Sequence, residues 1–109
     1  MASFYIKQHD TAPAIQAVLS DESGRIDLTA ATDVRFTMWT SAAIKVNRAL
    51  ATITTAKSGL VSYAWQSRDT DTAGTYSCEW EITWSNGTKQ TVPSDMNDTV
   101  LITADGDQI

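Results

Sequence analysis

Nucleophilic catalysis needs a Ser, Thr or Cys beside a base that a third group orients. The chain offers one imidazole, His9, followed by Asp10, and one thiol, Cys78. Cys78 falls on the apolar side of an alternating run, where thiolate formation is disfavoured. Ordinary surface and core roles are expected for both residues. Glu79 and Glu81 stand two apart, which puts them on one strand face at a separation of about 7 Å. A glycosidase needs two carboxyls facing across a cleft, one of them desolvated. Acids alternating with Trp80 and the following apolar residues are what a sheet with one wet face produces. Asp69-Thr70-Asp71-Thr72-Ala73-Gly74 starts like a calcium loop, but Ala73 holds the fifth position and Trp80 the twelfth, where a bidentate Glu belongs. Asp95, Asp98, Asp105 and Asp107 read as turn residues. Asn86-Gly87-Thr88 and Asn97-Asp98-Thr99 fit the glycosylation acceptor pattern, and turn chemistry explains both. No catalytic residue, metal ligand or cofactor is therefore assigned, and no enzyme activity is expected.

The elements that carry these residues must come from one small domain. One hundred and nine residues accommodate a single unit, residues 1–109. Hydrophobic residues make up 42% of the chain and four are Trp, enough for a core without cross-links. One Cys excludes an internal disulfide framework. Eight basic and thirteen acidic residues give a net charge of −5. That charge repels phosphate backbones and anionic bilayers, so neither nucleic acid nor membrane is an expected partner. The amino terminus lacks the pattern of a signal peptide, and no apolar run is long enough to span a bilayer.

Short alternating segments separated by turn residues dominate the sequence. Val34, Phe36 and Met38 share one side of a strand, opposite Arg35, Thr37 and Trp39. The longest run is 75–85, with Tyr76, Cys78, Trp80, Ile82 and Trp84 on one side. Asn86-Gly87 then predicts a two-residue type I′ hairpin, whose central residues both take positive φ. Further strands are read at 4–8, 15–20, 25–28, 44–48, 50–55, 60–65, 88–92 and 99–104. The window 41–51 contains helix-forming alanines, but Ile44 and Val46 alternate with Lys45 and Asn47 and favour strand. Sixteen Thr residues suit pleated surfaces. The expected fold is all-β: an antiparallel sandwich of seven to nine strands with no disulfide.

Asp71-Thr72-Ala73-Gly74-Thr75-Tyr76-Ser77-Cys78 resembles the corner and following strand of immunoglobulin-type domains, where a Tyr precedes a Cys by two. The resemblance implies a structural corner at Gly74 and Tyr76, with the Tyr76 hydroxyl bonded to upstream backbone. No second Cys is present to bridge Cys78. A broader order runs through Asp21–Gly24, Ile26–Thr29, Val34–Met38, Ser58–Trp65, Thr72–Tyr76, Val92–Asp95 and Val100–Ile102. This order resembles the N-terminal domain family of phage baseplate upper proteins. The resemblance implies an immunoglobulin-like sandwich and a virion structural role in tail or baseplate, in a protein made in the host cytoplasm. It also implies docking onto other virion proteins or copies of the same chain. Family members often continue into coiled-coil or receptor-binding regions, whereas this sequence stops at Ile109.

The aromatic residues supply candidate contacts. Trp39 falls among Arg35 and Thr37, and Phe4 and Tyr5 occupy both sides of the first strand. Phe4, Tyr5 and Trp39 are the candidate interface residues, because aromatics on polar faces anchor protein contacts. Pairing through open sheet edges is a further contact mode. Capsid decoration or a fibre-base role is the alternative within the same class. A carbohydrate-binding module, with Trp39 or Trp65 as sugar platform and an end-loop calcium ion, is the alternative outside it.

Overall fold

A computed structural model describes residues 3–93 and 98–104. Eleven strand segments follow in order: β1 (Ser3–Lys7), β2 (Ile15–Val18), β3 (Ser20–Asp21), β4 (Gly24–Arg25), β5 (Ala31–Trp39) and β6 (Ile44–Leu50). The remainder are β7 (Thr52–Thr55), β8 (Leu60–Tyr63), β9 (Gly74–Trp84), β10 (Lys89–Val92) and β11 (Asp98–Thr103). A three-residue 3₁₀ turn at Ala56–Ser58 is the helical segment among the described residues. Within the window 41–51, Ile44–Leu50 form strand, as the alternation there requires.

The large sheet has the order β1-β11-β9-β5-β6, with β10 added to the far half of β9. A second sheet has the order β2-β8-β7, and β3 and β4 form a two-residue ladder. The all-β expectation holds, but the large sheet is mixed: β1 runs parallel to β11 from Ser3↔Thr99 to Lys7↔Thr103. The more numerous segments arise where expected strands stop early. Ile26 and Leu28 donate their N–H groups to the carbonyls of Leu19 and Ala56 at 2.9 and 2.8 Å, so the strand expected at 25–28 stops at Arg25. Pro93 ends β10, because it has no N–H to extend the ladder.

Alternation decides which side is buried. On β5, Val34, Phe36 and Met38 are inaccessible to solvent, and on β9 Tyr76, Cys78, Trp80 and Ile82 are buried. Residues of both larger sheets meet in one core. Phe36 of β5 stacks on Tyr63 of β8 at a centroid distance of 4.9 Å and touches Trp80 at 4.8 Å. Each such side chain contributes roughly 1.5–3 kcal/mol by leaving water.

The hairpin between β9 and β10 differs from its expected form. The Gly87 N–H bonds the Trp84 carbonyl at 2.9 Å, and the Trp84 N–H bonds that of Thr88 at 2.8 Å. Gly87 has φ 90°, whereas Asn86 is not in the left-handed region. The loop is thus three residues, closed by a left-handed glycine, and not a type I′ pair. The Asn86 side chain accepts from the Thr88 N–H at 3.0 Å and from its hydroxyl at 2.7 Å, so it braces the turn without positive φ.

Gly59 holds the chain where three segments converge. It has φ 73°, and an added Cβ would lie 2.7 Å from the Ile26 carbonyl oxygen and 2.8 Å from that of Leu19. Both obstacles are backbone. Gly59→Ala is expected to lose about 2–4 kcal/mol of stability through left-handed strain and this clash. An unchanged urea midpoint would show that the 3₁₀ turn can shift freely.

Candidate functional site

The large sheet turns its second face to solvent, and cross-strand register arranges that face in rows. Tyr5, Leu101 and Thr75 form one row across β1, β11 and β9. The next row contains Ser3, Thr99, Ser77, Trp39 and Ile44. Below it Glu79 pairs with Thr37, and then Glu81 with Arg35 and Leu50. Tyr5, Ile44 and Leu50 are 66%, 61% and 62% exposed, far above their apolar neighbours in the core. Trp39 and Leu101 are half-buried beside them. Tyr5, Leu101, Trp39 and Ile44 make the upper end of this face an apolar band with a shallow centre of Thr75 and Ser77, and Leu50 lies apart in the row of Arg35 and Glu81.

The lower end is charged. The Arg48 guanidinium donates to Glu81 across β5, and Arg35 lies 3.6 Å from Asp33. Lys89 donates to the Thr83 hydroxyl at 3.2 Å. Arg48 occupies the left-handed region, with φ 50°, at a register shift in β6. That bulge is what aims its side chain across the sheet.

Two of the three candidate interface residues, Tyr5 and Trp39, lie on this face. Phe4 does not. It is half-buried on the inner side, 5.9 Å from the Trp65 ring. Trp65 is 4% exposed and also meets Phe36 and Tyr63 edge-on, so it offers no platform for a sugar. Ile44, Leu50 and Leu101 belong to the face but escaped sequence reasoning. Ile44 shares parity with buried Val46, and only the register shift between Met38 and Trp39 turns it outward.

Loops at the upper end are tied together by specific bonds. Tyr63 donates its hydroxyl to Asp69 at 2.6 Å, and the same carboxylate oxygen accepts the Gln66 N–H at 2.8 Å. Burial, then the bond to Asp69, pushes the Tyr63 hydroxyl well above its ordinary range. Buried Thr70 donates to the Asp10 carbonyl at 2.7 Å, and Gln8 reaches the Asp71 carbonyl at 2.7 Å. Asp69 and Asp71 are thus engaged in holding loops. Among the described residues, no three His, Cys, Asp or Glu side chains cluster as metal ligands. Asp95, Asp105 and Asp107 lie outside the described residues.

His9 is exposed with φ 72°, and its N–H bonds the Thr70 carbonyl at 3.0 Å. Cys78 is buried as a free thiol and pushed up to about 12, first by burial and then by Asp98 and Glu79. It lines a hollow of about 280 Å³ with Phe4, Ile15 and Trp80. The Tyr76 hydroxyl donates to the Thr72 carbonyl at 2.7 Å, and Gly74 begins β9 with φ 155°. No protein-family description and no curated protein matches this chain.

Tyr76→Phe is expected to cost about 1–2 kcal/mol, because the Thr72 carbonyl loses its donor. A thermal melt that matches the parent would remove the corner's structural role. Lys45 donates to Asp71, and this bond, followed by that of the Thr72 hydroxyl, holds Asp71 below its ordinary value of 3.8. A carboxyl depressed on folding stabilises fully above its unfolded pKa and loses that contribution as pH falls through its folded value. The stability gap between the parent and Lys45→Met is therefore expected to narrow below about pH 4. NMR titration of Asp71 should show its midpoint rising in the variant, and an unmoved midpoint would deny the pairing.

Proposed function

We propose that the chain is an immunoglobulin-like β-sandwich acting as a phage virion structural protein in the tail or baseplate, through protein–protein docking. Two sheets sharing an aromatic core, a first strand parallel to the last, and the Tyr76 corner support the fold reading. The observation that carries the docking reading is the gathering of Tyr5, Ile44 and Leu50, with Trp39 and Leu101, on one face of the large sheet. A face with apolar residues at one end and a charged network at the other has the make-up of a contact surface with a polar rim. The phage assignment rests on the ordered motifs from Asp21 to Ile102.

The mechanism is association without chemistry: complementary faces meet, and a symmetric particle multiplies weak contacts. Immunogold microscopy with antibody against the purified chain is expected to label the tail tip of virions of the encoding phage. Label over the head would replace the tail assignment with capsid decoration. No label on intact or opened particles would overturn the virion role. Micromolar binding of host polysaccharide that Trp39→Ala abolishes would move the chain to the carbohydrate-binding class.

A further inference from the structure

We infer that the outer face of the large sheet pairs with the same face of a second copy of this chain, about a two-fold axis running along the strands between β9 and β5. The inference rests on the docking reading above and names its partner and surface.

Charge separates this face from the rest of the molecule. It carries Lys7, Arg35, Arg48 and Lys89 against Asp33, Glu79 and Glu81. The whole chain has eight basic and thirteen acidic residues. The acidic excess thus lies elsewhere, and two copies can meet through this face without the like-charge repulsion of the whole acidic chain.

The register makes the face complementary to itself. A two-fold axis between β9 and β5 exchanges these strands across the interface while keeping each row at its own height. Arg35 and Glu81 share a row, so each Arg35 comes to face the other copy's Glu81. Trp39 and Ser77 share a row, so each indole comes to face a small residue and the shallow centre beside it. Leu101 on β11 and Ile44 on β6 lie one strand further out on opposite sides, in adjoining rows. They become neighbours across the axis and close the apolar band.

The axis overlays β9 on β5 and β11 on β6 and leaves β1 outside the contact. Together with β10 these strands cover on the order of 600 Å² on each partner, near the lower end of the range for a specific interface, as expected of a reversible dimer.

Sedimentation velocity over a concentration series tests the pairing. The parent is expected to approach twice its 11.9 kDa mass at high concentration. Ile44→Glu places a charge in the apolar band, and Ser77→Arg fills the shallow centre. Each should weaken the dimer at least about tenfold, with an unaltered circular dichroism spectrum and melting temperature. Val18→Glu, on an exposed residue of the smaller sheet, should leave it intact. A monomer at every concentration would overturn the inference, as would a dimer that survives both face variants or breaks with Val18→Glu. A monomer that still labels virion tails sinks only the self-pairing. A dimer absent from virions sinks only the virion role.

Discussion

Strand β9 is paired along one edge by β5, and along the other first by β11 and then by β10. Its side-chain parity therefore sets both faces of the large sheet. Tyr76, Cys78, Trp80 and Ile82 go to the core, which commits Ser77, Glu79, Glu81 and Thr83 to the opposite face. Each partner strand inherits the choice through its register, and a slip of one residue would expose the core and bury two carboxylates. Few alternatives are so costly: burying Trp80 and Ile82 stabilises by roughly 1.5–3 kcal/mol each, while an unpaired buried carboxylate costs more than that.

Parity explains the faces but not the ends. Where β9 begins, the chain must cross from one sheet to the other, and polar bonds rather than packing fix the path. Asp69 accepts from Tyr63 and from the Gln66 backbone, Thr70 ties down Asp10, and Tyr76 ties down Thr72. Each bond joins a loop to a residue already fixed by a sheet, so loop order follows from sheet order. Trp65 departs from this economy: its indole N–H is buried with no hydrogen-bond partner among the described residues. Its ring contacts with Phe4, Phe36 and Tyr63 offset that loss, which is typically about 1–3 kcal/mol.

These two kinds of constraint differ in how far the sequence discloses them. The all-β class, the long strand ending at Trp84 and the burial of Cys78 follow from alternation, which is local. So does the outward placement of Trp39 among Arg35 and Thr37. The parallel pairing of β1 with β11 joins residues nearly a hundred positions apart, and no local pattern distinguishes it from antiparallel pairing. Ile44 was unreadable for a sharper reason. Its parity matches Val46, and only a bulge whose position depends on the neighbouring strand separates the two. Asn-Gly marks a hairpin correctly but does not set loop length, because the Asn86 side chain can brace a three-residue turn as well. Phe4 and Tyr5 are adjacent on one strand and must point apart, and the sequence does not say which of them faces in.

The bulges of β6 bear on how such a domain would associate. Open edges invite strand addition, and β6 is an edge of the large sheet. Its register shifts twice, and Arg48 adopts a left-handed conformation within it, so the edge is neither straight nor regularly spaced for another strand. The shift between Met38 and Trp39 turns Ile44 outward, and the one between Phe36 and Met38, where Arg48 lies, sends Arg48 across to Glu81. The two distortions together weaken edge pairing and add an apolar group and a satisfied charge to the flat face. On the proposed docking role, association moves from backbone ladders, which accept many sequences, to side-chain complementarity, which selects among partners.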